Sequence, residues 1–328
     1  MEAKKLFVFN PEHDLALAVG SGSYTPPAEV IKLRKEKSLL PALFADNGDF
    51  VLLPSQLSYN EISQLPFFDI TTSKNIEILT PEKISEAGDK VYKVIPWGWD
   101  HAVRNFLRDY GMPLSLLPND EELEGIRSLS HRRTTIPFRK YISQYLNEEA
   151  YLLPHELFTL KEVEKFLKTY PISYFKAPWS SSGRGITLSD HISEKGLMEW
   201  CHGIIRRQGS LIAEPAWNRI FDFATEWIIE NNVPRFLGYS VFQTSSRGKY
   251  HGNSDAPQSE LIEIINQTLP SFSKNIIEAQ RHALNHLIAP CYNGYLGIDM
   301  LGDSEGRINP CVEINLRLTM GHISILKK

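Results

Sequence analysis

Lys176 closes the apolar run Ile172 to Lys176 and is followed by Ala177-Pro178-Trp179-Ser180-Ser181-Ser182-Gly183-Arg184-Gly185. A lysine at the end of a strand, backed by a hydroxyl- and glycine-rich turn that re-enters a strand, is suited to holding a polyphosphate. The turn offers backbone N–H groups and the Ser180, Ser181 and Ser182 hydroxyls, while Lys176 and Arg184 supply charge. No G-x-x-x-x-G-K-[ST] occurs in the chain, so this is not a Walker loop. Considered by itself, the segment also fits a solvent-exposed hairpin loop.

A second group lies in Gly297-Ile298-Asp299-Met300 and Val312-Glu313-Ile314-Asn315-Leu316-Arg317. Residues two apart on a strand project from one face, so Glu313 and Asn315 share a face that Asp299 can meet from a neighbouring strand. Two carboxylates and an amide oxygen make a hard-oxygen site for Mg²⁺, which takes few protein ligands and completes its shell with phosphate and water. Arg317 continues the same face. A solvated acidic surface is the plainer alternative for these residues.

Together the two segments resemble the ATP-grasp superfamily, in which a strand lysine precedes a Ser/Gly-rich loop over the phosphates and a later Asp, then a Glu-x-Asn pair, hold Mg²⁺. The matching residues are Lys176, Ser180 to Gly185, Asp299, Glu313 and Asn315. The tail Glu313 to Thr319 is similar to the family's E-x-N-P-R segment, with Leu316 in place of the proline. The resemblance implies further roles. Leu211 to Trp217 would be the hinge between two lobes, with Glu214 meeting adenine. Asp222, with Glu226 next on its face, would bind the ribose hydroxyls. Arg132, in His131-Arg132-Arg133, would stand for the family's first phosphate lysine and keep its charge.

The function this resemblance implies is that of an ATP- and Mg²⁺-dependent ligase. It would activate a carboxylate as an acyl phosphate for attack by an amine or thiol, releasing ADP and phosphate. Lys176, Arg247 and Arg317 would be the catalytic cations, and small-molecule carboxylates, amines or thiols the partners. An ATP-grasp kinase and a non-catalytic nucleotide-binding module are the other readings. Retention of Asp299, Glu313 and Asn315 together argues against the last. No side-chain nucleophile is required, in keeping with the lack of a Ser-His-Asp or Cys-His motif.

These side chains need elements to hold them. Leu6 to Phe9, Phe50 to Leu53, Ile76 to Leu79 and Tyr92 to Pro96 read as short strands separated by helical stretches such as Ala28 to Lys37, Tyr59 to Gln64 and Pro81 to Ala87. This alternation predicts a parallel sheet. Helices are expected over Asp120 to Ser130 and Thr134 to Leu146, then strands at Tyr151 to Leu153, Ile172 to Lys176, Gly185 to Leu188 and Ser210 to Glu214, with helices Leu160 to Thr169 and Ser193 to Arg207 between them. Asn231-Asn232 marks a hairpin turn, two long helices fill Ser259 to Ile288, and Gly294 to Leu301 and Asn309 to Ile314 end the pattern as strands. The expectation is an α/β (α+β) chain. A Rossmann-like, pre-ATP-grasp unit would span 1–117, a helical linker and small lobe with the phosphate loop 118–214, and a C-terminal lobe with the metal site 215–328.

With 35 basic and 39 acidic residues among 328 and 42% hydrophobic content, the composition is that of an ordinary globular protein. It argues against a nucleic-acid platform, and no run approaches a membrane span or an apolar leader, which predicts a cytoplasmic protein without membrane partners. Cys201, Cys291 and Cys311 have no metal or disulfide spacing and read as free thiols, with Cys291 and Cys311 as buried filler. Asn10-Pro11-Glu12-His13-Asp14 closes the first strand, where α/β sheets place ligands, although Asp14 also fits a helix cap. Trp97 to His101 reads either as an aromatic cleft wall or as packing, and Arg247, Lys249, His251 and Asn253 as an anion-binding turn or a solvated tip.

Overall fold

Four short apolar strands build the first sheet: β1 (Lys4–Val8), β2 (Phe50–Leu52), β3 (Glu77–Leu79) and β4 (Val91–Pro96), all parallel in the order β3-β2-β1-β4. The computed structural model describes residues 4–149, 151–180, 185–244 and 250–327. Leu6, Val8, Phe50, Leu52, Leu79, Val91 and Val94 form one core with Ile84, Val103 and Leu107 from the helices. The chain leaves β1 toward β2 and β3 on one side and returns as β4 on the other. The strand order therefore reverses between β1 and β4, where such sheets open a crevice at their C-terminal ends. Asp100 starts the helix His101–Asp109 by accepting the Val103 N–H at 2.9 Å.

Two antiparallel sheets follow. β5 (His155–Leu157), β6 (Ser173–Lys176), β7 (Ile186–Leu188) and β8 (Leu211–Pro215) pair in the order β5-β8-β6-β7. The helices Leu160–Thr169 and Glu194–Gln208 cover that sheet, burying Val163, Phe166, Leu197, Cys201 and Ile204 against Phe175 and Leu211. β9 (Arg219–Glu230), β10 (Val233–Thr244), β11 (Tyr250–Asn253), β12 (Gly294–Asp303) and β13 (Ile308–Asn315) pair in the order β11-β10-β9-β12-β13. Asn231 and Asn232 both take positive φ (51° and 61°), the geometry of a two-residue hairpin turn with the strand twist. Gln280, from the helix Lys274–Leu287, reaches Thr225 Oγ1 of β9 at 2.9 Å.

The chain divides into two compact units, Met1–Arg127 with Leu326–Lys328, and Ser128–Ile325. Two local expectations are corrected. Tyr151 to Leu153 is not a strand: Leu152 takes φ 47° and Pro154 follows, so extended pairing starts only at His155. Asp14 does not cap its helix; Glu12 occupies the cap position without a side-chain bond, and Asp14 lies in the first turn of His13–Val19. Among the described residues no helix is long and apolar enough to cross a membrane.

Candidate functional site

β6 ends on Lys176, and its antiparallel neighbour β8 carries Glu214. The register sets Lys176 opposite Ile212 and Tyr174 opposite Glu214, so the lysine and the glutamate share a face as diagonal neighbours. They form an ion pair with both side chains buried. Beyond β6 the turn is pinned where the Ala177 N–H donates to the Gly185 carbonyl at 2.7 Å. A Cβ on Gly185 would lie 2.5 Å from Ser180 Oγ, so this closure requires glycine. Ser181, Ser182, Gly183 and Arg184 lie outside the described residues.

The second group is set by β12 and β13. Asp299 and Glu313 are cross-strand partners, and Gly297 and Asn315 are the next pair on the same face. Asn315 Nδ2 donates to Asp299 Oδ2 at 3.2 Å, and Arg317 Nη2 donates to Asn315 Oδ1 at 3.1 Å. On the other side of β12, β9 aligns Ala224 with Asp299 and Glu226 with Gly297, which brings Asp222 and Glu226 onto that face as well. Burial pushes the Asp299 carboxyl up to about 8, and repulsion from Glu313 and Glu226 adds to it, against the pull of Arg317 and the Asn315 amide. This is a donor set that positive charge would relieve. Among the described residues no group of three or more His, Cys, Asp or Glu is arranged to hold a metal ion. The set offered here is two carboxylates and an amide oxygen, few and hard, which suits Mg²⁺ rather than zinc.

Arg132 ties the two groups together. It lies in the short turn Arg132–Thr134 with its backbone N–H on the Pro178 carbonyl at 3.1 Å. Its Nη1 donates to the Ala177 carbonyl at 2.5 Å and to Ser180 Oγ at 2.8 Å, and its Nη2 donates to Glu313 Oε1 at 2.7 Å. The side chain is buried, and its Nε has no partner among the described residues.

Asp222 stands 3.4 Å from Arg219. Arg247 and Lys249, and the His251 side chain, lie outside the described residues. Cys311 is buried as expected, but Cys291 is exposed, because it falls in the turn between the helix Lys274–Leu287 and β12. Trp97 packs edge-on to Phe9 at 5.1 Å and Trp99 joins the N-terminal core, so both serve packing there.

A buried network around Glu226 escaped the sequence reading. Ser240 Oγ and Thr319 Oγ1 both donate to its carboxylate at 2.8 Å, and His322 Nδ1 lies 3.1 Å from it. Two glycines clear the space: a Cβ on Gly297 would approach Glu226 Oε2 to 2.7 Å, and one on Gly321 would approach Oε1 to 1.9 Å. The available signal was local and slight: Thr319 and His322, three apart with Gly321 between them, shortly after Glu313 and Asn315.

The sequence matches no protein-family model and no curated protein. Solved structures do match. The chain is similar to N5-carboxyaminoimidazole synthetase from Staphylococcus aureus complexed with ADP at a TM-score of 0.52 and 11% identity, covering 100% of this chain and 79% of that one. It is similar to biotin carboxylase from Campylobacter jejuni in complex with a β-γ-ATP ligand at 0.57 and 12%, covering 99% and 70%. It is similar to L-amino acid ligase from Bacillus licheniformis at 0.51 and 14%, covering 99% and 69%. At these identities the likeness is one of fold, and with the parallel sheet followed by two antiparallel ones it gives the fold class: the chain has the ATP-grasp fold.

Proposed function

We propose that the Ser128–Ile325 unit binds ATP with Mg²⁺ and that the protein is a ligase joining a carboxylate to an amine or thiol, with release of ADP and phosphate. The observation that carries this is the bridge made by Arg132, which links the strand end and turn after Lys176 to the Asp299–Glu313–Asn315 face. Similar folds solved with ADP or an ATP ligand support the nucleotide.

In this reading Lys176, Arg132 and the Ser180 to Gly185 turn hold the phosphates and stabilise charge on the transferring phosphoryl group. Asp299, Glu313 and Asn315 would hold Mg²⁺, which when bound neutralises phosphate charge and orients the terminal group. Glu214 fixes Lys176 and faces the base, and Asp222 takes the ribose hydroxyls. A substrate carboxylate oxygen attacks the γ-phosphorus and the bond to ADP breaks. The amine or thiol then attacks the acyl carbon, phosphate leaves with the C–O bonding pair, and the nucleophile's proton passes to solvent. Arg317 steadies the acyl phosphate, and Arg247 and Lys249 are assigned to an anionic acceptor on charge alone.

The test is turnover over a panel of carboxylates and amines with hydroxylamine present. Hydroxamate formation with ADP and free phosphate in step is expected, and Glu313→Gln or Asn315→Ala should remove it while leaving the fold intact. Label from γ-phosphate recovered in a stable organic phosphate would establish a kinase instead. No stabilisation by Mg·ATP at millimolar concentration would remove the nucleotide reading altogether.

A further inference from the structure

The N-terminal unit holds a cavity of about 430 Å³ at the C-terminal ends of β1 and β2 and the start of the helix His101–Asp109. It lies at the reversal of strand order, where open parallel sheets bind ligands. Its apolar wall includes Ile31, Leu52, Pro54 and Phe106, and its polar end includes Glu12, Arg34 and Asp100.

The polar end is built by the two N-terminal segments singled out in the sequence, Asn10 to Asp14 and Trp97 to His101, with Arg34 added from the helix Ala28–Glu36. Asn10 Nδ2 donates to the Gly98 carbonyl at 2.8 Å and to Asp100 Oδ2 at 3.2 Å, and His13 Nδ1 lies 3.2 Å from the same oxygen. A Cβ on Gly98 would strike the His13 ring at 2.5 Å, so glycine is needed for that seating. Asp100 is thereby fully engaged, its other oxygen capping the helix. Glu12 is not. It is 5% exposed; Oε1 accepts from Arg34 Nη1 at 2.6 Å, but Oε2 is buried with no partner among the described residues. Arg34 Nε is likewise buried with no partner among the described residues.

A buried carboxylate oxygen lacking a donor, beside a guanidinium N–H lacking an acceptor, is costly unless something supplies both. We propose that this cavity binds a small zwitterion with an ammonium and a carboxylate on one carbon and an apolar side chain. The ammonium donates to Glu12 Oε2, the carboxylate accepts from Arg34 Nε, and the side chain lies along Leu52, Pro54 and Phe106. This concerns the N-terminal unit alone and stands apart from the nucleotide reading.

Calorimetry on the full chain without nucleotide tests it, using L-norleucine and the two probes that each lack one charged group, n-pentylamine and hexanoate. Each charge-assisted contact should be worth about tenfold or more in affinity, so norleucine should bind at least that much tighter than either probe. Glu12→Gln should erode the advantage over hexanoate, and Arg34→Gln the advantage over pentylamine. No heat from norleucine at millimolar concentration, or either probe binding as tightly as norleucine, overturns the proposal, as does an unchanged preference in both variants.

Discussion

Glu313 Oε1 accepts from Arg132 Nη2 at 2.7 Å, although the two residues are 181 positions apart in the chain. The same guanidinium holds the Ala177 carbonyl and Ser180, so one side chain sets the distance between the turn after β6 and the end of β13. Arg132→Ala should therefore destabilise the Ser128–Ile325 unit by about 2–3 kcal/mol, since it strands a buried carbonyl and a half-buried carboxylate. Arg132→Lys should recover only part of this, lacking the fork that reaches both the turn after β6 and Glu313 of β13. Urea denaturation of the three proteins measures it.

The buried Lys176–Glu214 pair gives a second prediction. Lys176→Met alone leaves a buried carboxylate uncompensated and should cost about 3–5 kcal/mol. The double variant Lys176→Met/Glu214→Gln should be more stable than Lys176→Met, giving a coupling that a double-mutant cycle in urea reads directly. Additive single effects would show that the pair is not coupled.

How far these contacts were legible follows from their range. The strand pairs were readable because side-chain alternation and turn residues are local: Asn231-Asn232 marks its hairpin, and the spacing of Glu313 and Asn315 already puts both on one face. The meeting with Asp299 needed only one neighbouring strand. Arg132 with Glu313, and Glu226 with His322, depend on how separate elements close on one another, which no local period records. Cys291 was misplaced for a simpler reason. Its apolar character suggested burial, while the turn that exposes it is set by where the preceding helix stops.

His322 carries a pH dependence. Nε2 donates to the Trp227 carbonyl at 3.1 Å and Nδ1 accepts the Thr319 N–H at 3.1 Å, so the neutral ring is satisfied on both nitrogens. Burial lowers its pKa below the ordinary 6.5, against the pull of Glu226. The unfolded chain then takes up a proton at a pH where the folded one does not. Stability is full above the unfolded value and falls as pH drops through the window below it. Each tenfold loss of ring basicity on folding corresponds to about 1.4 kcal/mol. Denaturation midpoints of the wild type and His322→Asn between about pH 7.5 and about pH 5.5 should converge as pH falls.

The thiols should separate by reactivity. Cys201 is pushed up to about 12 by burial, and Cys311 is also raised and fully buried, whereas Cys291 is exposed. Iodoacetamide on the native protein near neutral pH should label Cys291 and leave the other two until denaturant is added, as read by peptide mass spectrometry. Native labelling of Cys201 or Cys311 would show that their surroundings open readily.

Gly297 and Gly321 flank Glu226 so closely that neither can gain a methyl group without displacing its carboxylate or the Ser240 hydroxyl. A constraint of that kind leaves a trace in inheritance. An apolar core can be exchanged extensively and still fold, so the steric argument predicts that a relative keeping this glutamate in its present seat keeps both glycines with it. The triplet of one glutamate on β9, one glycine on β12 and one glycine at the start of the helix Met320–Leu326 is therefore expected to vary together, and an alignment of relatives would read it directly.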